Sequence, residues 1–150
     1  MIRKASKEDL INCSELIQTV IGQVNAKYYS PEIILAWQEY NALLNLEEEI
    51  KHTDFIVYEE KGAIVGVGAI EGAHIKKIYV SPNYQGKGLG KVILESLEQR
   101  ARENGFVECE LNSTINALNF YKRFGYEEKG PFIIEKNELS VTFTRMTKRI

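Results

Sequence analysis

Glycines and lysines alternate in one short stretch of the chain, Gln85–Lys91, which reads Gln-Gly-Lys-Gly-Leu-Gly-Lys. The stretch lies between an apolar, strand-like run and a helix-like run. Glycines let successive backbone N–H groups turn toward one point, and the start of a helix adds a partial positive charge. We therefore predict that Gln85–Lys91 binds the phosphates of an anionic ligand. The alternative is that its glycines only form a tight turn between a strand and a helix.

Two well-known phosphate-binding motifs fit this loop poorly. A Walker A loop needs a glycine where Ser81 stands and a serine or threonine where Gly88 stands, so that motif is excluded. A dinucleotide fingerprint that begins at Gly86 needs a glycine at Lys91, although Glu110 lies near the position of the ribose-binding acid. Dinucleotide binding is therefore weakened but stays open.

Two blocks of the sequence resemble the GCN5-related N-acetyltransferase (GNAT) family. Gln85–Gly90 fits that family's Gln/Arg-x-x-Gly-x-Gly/Ala signature, and it follows Ile78–Pro82, which resembles the family's fourth strand and its exit. Further along, Thr114–Tyr126 resembles a later helix of the family, with its tyrosine and its closing pair of glycine and an aromatic residue. The resemblance covers nearly the whole chain, but only these two blocks are specific.

The resemblance implies acetyl-CoA as the cofactor and CoA as the product. In that family the fourth and fifth strands splay apart, the pantetheine arm pairs with the fourth strand, and the pyrophosphate binds the glycine loop. The residues of this chain that the resemblance assigns to the cofactor are Ile78, Tyr79, Val80, Gln85, Gly86, Lys87, Gly88, Leu89, Gly90, Lys91, Thr114, Asn116 and Tyr121.

Tyr121 and His74 are the candidate catalytic side chains. The CoA thiolate that leaves during acyl transfer benefits from a nearby proton donor, a role that a tyrosine can fill. An ordinary packed tyrosine beside Phe120 and Phe124 is the alternative. His74 begins the predicted fourth strand, where some members of the resembled family carry a glutamate base, and histidine accepts protons near neutral pH. Glu71 and a chain of water molecules are its competitors.

The acceptor site is expected between the two early helices, beside three aromatic residues, Tyr28, Tyr29 and Trp37. Aromatic residues at helical spacing also pack in cores, so their pattern alone does not distinguish a pocket from packing. Glu71, like other acidic residues on the predicted surface, would attract a cationic amine. No particular acceptor follows from these residues.

These observations favour an acetyl-CoA-dependent N-acetyltransferase, an enzyme that transfers the acetyl group directly to an amine of a small molecule, peptide or protein. Neither Cys13 nor Cys109 falls in the cofactor blocks, which favours direct attack over a cysteine relay. The alternative is a non-catalytic acyl-CoA-binding or interaction module on the same fold.

Composition limits the other classes of function. The chain has 150 residues, which suits a single domain over residues 1–150, and a formal net charge of -2. That charge argues against a nucleic-acid or membrane partner. The two cysteines lack metal-ligand spacing, so we expect no metal and a reduced, cytoplasmic protein. A homodimer formed through the last strands stays open.

The elements that would position these residues follow from periodicity and from helix start and stop signals. An α+β domain with a mixed, mainly antiparallel sheet is predicted, and the resemblance adds splayed central strands flanked by helices. Ser6 and Gly22 are expected to bound the first helix, Ser30–Pro31 to start the second, and Asn45 to cap a third. The remaining elements are predicted as strands over 2–5, 55–58, 63–70, 75–80, 106–111, 126–134 and 139–147 and helices over 88–104 and 117–124.

Overall fold

The computed structural model describes residues 1–150 and contains seven strands and five α-helices. The strands are β1 (Ile2–Lys4), β2 (Asp54–Glu60), β3 (Ala63–Glu71), β4 (His74–Val80), β5 (Glu108–Ser113), β6 (Glu127–Lys136) and β7 (Leu139–Arg149). The helices are α1 (Leu10–Gln23), α2 (Pro31–Tyr40), α3 (Leu43–Glu49), α4 (Leu89–Glu103) and α5 (Leu118–Arg123). No helix combines the length and the apolar composition that crossing a membrane requires.

All seven strands form one sheet, in the order β1-β2-β3-β4-β5-β7-β6. Every neighbouring pair is antiparallel except β4 and β5, which are parallel. The parallel pair is short, because only His74 with Glu110 and Ile75 with Leu111 are in register before the strands separate. The edge of β4 from Lys76 to Val80 therefore has no strand partner on the side of β5. The predicted α+β fold with splayed central strands is confirmed.

Helices cover both faces of the sheet and create two cores. On one face, α1 and α3 bury Leu10, Ile17, Ile21 and Leu46 against Phe55 and Val67. On the other face, α4 buries Ile93 and Leu97 against Ile56, Ile75, Leu111 and Met146. The helix α4 lies so close to β3 that a Cβ atom on Gly68 would stand 2.5 Å from Cγ2 of Ile93. This glycine therefore permits the close packing of helix on strand.

Two of the predicted helix boundaries are wrong. Gly22 lies within α1, where a Cβ atom would stand 3.0 Å from the Gln38 side chain, so it permits the approach of α2 and does not end the helix. Asn45 lies inside α3, and its Nδ2 donates a hydrogen bond to the carbonyl oxygen of Glu39 at 2.9 Å. In contrast, Ser30 caps α2 as predicted, with Oγ accepting from the amide of Ile33.

Candidate active site

A cavity of about 540 Å³ opens where β4 and β5 separate. It is lined by parts of α1, α2, β4, β5 and α5 and by the glycine loop before α4. The predicted cofactor residues that line it are Ile78, Tyr79, Val80, Gln85, Gly86, Gly88, Leu89, Gly90, Lys91, Thr114, Asn116 and Tyr121. The fold thus brings the two sequence blocks together in one cleft.

The glycine loop turns sharply into α4. Gly86 and Gly88 have φ values of +77° and +84°, a left-handed conformation in which a residue with a side chain would be strained. Gly88 stands directly before the helix, and the first residues of α4, whose amides lack partners within the helix, line the cavity. Gln85 fixes the loop to the strand, because its Nε2 donates to the carbonyl oxygen of Val80 at 3.1 Å. This arrangement is suited to an anionic group.

Two basic side chains adjoin the loop and line the cavity, Lys91 from α4 and Arg123 from α5. Their charge adds to the helix start, so this end of the cavity attracts phosphates. Lys87, which the resemblance also assigned to the cofactor, does not line the cavity, and its Nζ lies 5.2 Å from the centre of the Tyr84 ring. We call the part of the cavity formed by Gln85–Lys91 and Arg123 the loop end.

Tyr121 lies on α5, in the cavity wall between the loop end and the opposite end. Its ring packs edge-on against Phe120, at 5.2 Å between ring centres, and against Tyr126, at 5.8 Å. The Tyr121 hydroxyl makes no hydrogen bond within the protein, and burial raises its pKa above the usual value. The phenol is therefore neutral at physiological pH and has a free O–H group to donate into the cavity.

His74 and Glu71 lie outside the cavity lining. His74 stands where β4 and β5 are still paired, with Nδ1 3.4 Å from Oε1 of Glu110. The Glu71 carboxylate lies 3.2 Å from Nζ of Lys76 and 3.4 Å from Nδ1 of His52. The structure does not bring either residue together with Tyr121, and a base role for His74 stays a prediction.

Aromatic residues from the early helices do reach the end of the cavity opposite the loop. Tyr28 and Trp37 line it, and the Trp37 Nε1 donates a hydrogen bond to the Tyr79 hydroxyl at 3.1 Å. Tyr29 lies behind them, with its hydroxyl accepting from the amide of Ile115 at 3.0 Å and its ring 5.7 Å from that of Trp37. Tyr29 therefore supports the wall without lining it.

Sequence reasoning missed three polar residues at this end, Lys76 and Lys77 on β4 and Asn112 on β5. We call the region formed by these residues with Tyr28, Trp37 and Tyr79 the acceptor end. The pairing of β3 with β4 shifts register between Ala69 and Ile70, so two consecutive lysines both reach the cavity. A pair of lysines inside a predicted strand was the one signal available in the sequence.

Lys77 is the most buried of these, at 5% exposure, and it forms an ion pair. Its Nζ lies 3.0 Å from Oε1 of Glu49 and 2.8 Å from Oδ1 of Asn41, and it lies over the ring of Tyr40. Burial lowers the pKa of Lys77, and the nearby Glu49 carboxylate opposes that shift. Asn41 in turn donates to the carbonyl oxygen of Trp37 at 3.0 Å, so this cluster anchors the wall of the acceptor end.

Known proteins resemble this chain in both sequence and structure. A family model described as an acetyltransferase (GNAT) domain matches residues 25–150. An uncharacterized N-acetyltransferase of Methanocaldococcus jannaschii is 29% identical over 99% of this chain, which spans 66% of the length of that relative.

Two solved structures share the fold over the whole chain. A GCN5-related N-acetyltransferase from Rhodopseudomonas palustris is 25% identical, with a TM-score of 0.93, and 95% of its chain is covered. The PaiA N-acetyltransferase from Thermoplasma acidophilum, solved in complex with coenzyme A, is 24% identical, with a TM-score of 0.84 and 98% of its chain covered. The chain belongs to the GNAT acetyltransferase family, whose domain model matches most of its length.

Proposed function

We propose that this protein transfers the acetyl group of acetyl-CoA directly to an amine bound at the acceptor end, with Tyr121 as the proton donor. One observation carries the proposal. A single cavity runs from the glycine loop, along the unpaired edge of β4 and past Tyr121, to Trp37 and Tyr79. A cofactor with its pyrophosphate at the loop can therefore extend its acyl group toward an amine at the other end.

The chemistry follows from this placement. The amine first loses a proton, because an ammonium has no lone pair with which to attack. Its nitrogen then forms a bond to the acetyl carbonyl carbon, the carbon–sulfur bond breaks, and CoA leaves as the thiolate. Tyr121 supplies the proton that converts the thiolate to the thiol, and the proton that the amide nitrogen gives up restores the phenol. The net products are the acetylated amine, CoA and one proton.

The open edge of β4 has a second role in this proposal. Between Lys76 and Val80 the strand has backbone N–H groups on the side of β5 that donate no hydrogen bond to a neighbouring strand. The pantetheine arm can accept hydrogen bonds from some of these groups. A further N–H pointed at the carbonyl oxygen stabilises the negative charge that develops there as the amine attacks.

The cysteines support direct transfer over a covalent relay. Cys13 and Cys109 are both free thiols buried in the cores on the two faces of the sheet. Burial raises the pKa of Cys13 to about 12 and that of Cys109 to about 11, so neither is a thiolate at physiological pH. Since the thiolate is the nucleophile, neither cysteine is suited to accept the acetyl group.

Exposed apolar residues at one edge of the sheet support a homodimer. The edge strand β6 exposes Phe132, Ile133 and Ile134. Analytical ultracentrifugation of the protein and of the Ile133→Lys variant tests this arrangement, and we expect the variant to sediment as a monomer.

The net charge of -2 and the free thiols support a cytoplasmic protein without a nucleic-acid or membrane partner.

Replacing Tyr121 with phenylalanine tests the catalytic proposal. The Tyr121→Phe variant keeps the ring and loses only the proton donor, so we expect kcat to fall roughly 100-fold or more with the affinity for acetyl-CoA unchanged. Release of CoA measured with a thiol reagent over a set of amines gives the rates. Tyr58→Phe, in the same core but outside the cavity lining, is the matched control. A protein that binds acetyl-CoA and never releases CoA would instead be a non-catalytic acyl-CoA-binding module.

A further inference from the structure

Basic residues line the catalytic cavity, and acidic residues do not. No aspartate, glutamate or histidine contributes to its lining. Four basic residues do, with Lys91 and Arg123 at the loop end and Lys76 and Lys77 at the acceptor end. The pair at the loop end matches the phosphates of the cofactor. The pair at the acceptor end has no such explanation, because the acceptor itself is an amine and would be repelled by two cations.

Lys77 does not require a ligand, since the protein already satisfies it. Its ammonium bonds to Glu49 and Asn41, and its side chain is 3% exposed. A buried ion pair with this geometry is neutral as a unit. Lys76 is therefore the cation at the acceptor end that is available to a ligand.

The partner of Lys76 lies outside the cavity. Nζ of Lys76 is 3.2 Å from Oε1 of Glu71, whose side chain is 49% exposed, whereas that of Lys76 is 21% exposed. Ion pairs with one exposed partner contribute little free energy and exchange readily. An ammonium also has three donors, and Glu71 occupies one of them. Lys76 can therefore bond to a second anion from the cavity side.

The neighbours of Lys76 complete a small polar subsite. Asn112 lies across the cleft on β5, at the point where it separates from β4, and its side-chain amide makes no hydrogen bond within the protein. Tyr28 and Trp37 present aromatic surface on the same end of the cavity. An ammonium and a free amide together form donors for a carboxylate, and the aromatic rings suit an apolar side chain.

We infer that the acceptor is a small amine with a carboxylate close to its nitrogen, as in a free amino acid, and that Lys76 recognises the carboxylate. This inference rests on the proposed function and names the substrate class for that site. It replaces the expectation that acidic residues attract a cationic amine, since Glu71 pairs with Lys76 and does not line the cavity.

Matched acceptors test the inference directly. Release of CoA is measured with acetyl-CoA and each of the free amino acids, their carboxamides and a set of polyamines. A carboxamide keeps the shape of the amino acid and removes the charge. We expect an amino acid to be acetylated with a kcat/KM at least about tenfold above that of its carboxamide, the effect of losing one charge-assisted hydrogen bond.

Three variants identify the residue responsible. Lys76→Gln is expected to raise KM for the amino acid about tenfold, to leave KM for the carboxamide nearly unchanged, and so to remove the preference. Glu71→Gln frees Lys76 and is expected to lower KM for the amino acid. Lys51→Gln is the matched control, because Lys51 also pairs with a glutamate but lies in the exposed turn after α3. A purely structural role of Lys76 would alter both acceptors equally.

The results of these assays distinguish a wrong acceptor class from a wrong function. Acetylation of carboxamides or polyamines in preference to amino acids would overturn the inference and leave the proposed transferase intact. No acetylation of any amino acid by a protein that binds acetyl-CoA would also overturn it. A protein that does not bind acetyl-CoA would overturn the proposed function itself, which makes the two failures distinguishable.

Discussion

The loop end and the acceptor end of the cavity are built in different ways. The loop end is formed by the backbone of consecutive residues, with Gly86 and Gly88 in left-handed conformations and the first amides of α4 behind them. The acceptor end is formed by side chains from α2, β4 and β5 and by Tyr28, which are far apart in the sequence. A backbone site binds the part of the ligand that is constant, and a side-chain site can change its specificity without changing the fold.

The two ends also differ in what stabilises them. Hydrogen bonds of the main chain and the packing of α4 on β3 hold the loop end. A buried polar cluster around Lys77 and Asn41 holds the acceptor end. Substitutions at the two ends should therefore have separable effects on stability, on cofactor binding and on acceptor binding.

The largest effect is expected from Lys77→Met, which breaks the buried ion pair of the acceptor end. Removing the ammonium leaves the Glu49 carboxylate buried without its partner, and Oε2 of Glu49 has no hydrogen bond even in the intact protein. We expect the free energy of unfolding to fall by about 3–5 kcal/mol, measured by urea denaturation.

Two further variants sharpen this prediction. Lys51→Met breaks an exposed pair with Glu48 and should cost less than about 1 kcal/mol. The double variant Lys77→Met with Glu49→Leu removes both charges and should regain most of the lost stability. A Lys77→Met protein as stable as the wild type would show that the cluster does not hold the acceptor end.

A smaller effect, confined to the cofactor, is expected from Gly88→Val at the loop end. The φ value of +84° is strained for valine by about 1–3 kcal/mol, and relief of that strain moves the amides of the residues that line the loop end. We expect acetyl-CoA to bind roughly 10- to 100-fold more weakly, measured by calorimetry.

Gly62→Val is the matched control for that variant. Gly62 lies in the turn between β2 and β3 with a φ value of +80° and open space around it, so it carries the same strain away from the cavity. It should lose stability and keep its affinity for acetyl-CoA. Equal losses of affinity in both variants would mean that the loop geometry has no specific role.

The smallest effect is expected from Asp9→Asn, directly before α1, a helix that contributes Val20 to the cavity lining. Hydrogen bonds from Arg3 lower the pKa of Asp9, and its carboxylate also accepts from the Ser6 amide at 2.8 Å. Its contribution is present above the unfolded pKa of about 4 and is lost as the pH falls below it.

Thermal unfolding measured across pH tests the role of Asp9. We expect Asp9→Asn to be less stable by about 1 kcal/mol at pH 7, with a difference that shrinks below pH of about 4. Acetyl-CoA affinity should not change, since Asp9 is outside the cavity. A difference that grows in acid would contradict this account.

The difference between the two ends of the cavity also explains which parts of the fold and of the site could be predicted from the sequence. The loop end could be predicted, because Gly86 and Gly88 lie two residues apart and the positive φ values that they adopt are a local requirement. Tyr121 could be predicted to share that cavity because its helix is also marked by a local block, ended by Gly125 at a φ value of +96°. The mixed, mainly antiparallel sheet was predicted from the order of the elements and the splayed pair from the resemblance, and the structure agrees.

The acceptor end could not be predicted, because its members meet only through tertiary packing. A bulge in β4, where Lys76 has no partner on β3, lets both Lys76 and Lys77 reach the cavity, and no local pattern encodes that bulge. The partner of Lys77 is Glu49 on α3, and that helix begins at Leu43, before the Asn45 cap that the sequence predicts. Long-range pairing of buried charges is therefore the part of this site that could not be predicted from a single sequence.

Calorimetric titration of the purified protein with acetyl-CoA, with CoA, ATP and NAD as comparisons, shows whether the cavity is a CoA site. We expect acetyl-CoA and CoA to bind with similar affinity, because both occupy the loop end and the edge of β4, and ATP and NAD to bind far more weakly. Failure of acetyl-CoA and CoA to bind, or equal binding of ATP and NAD, would contradict it.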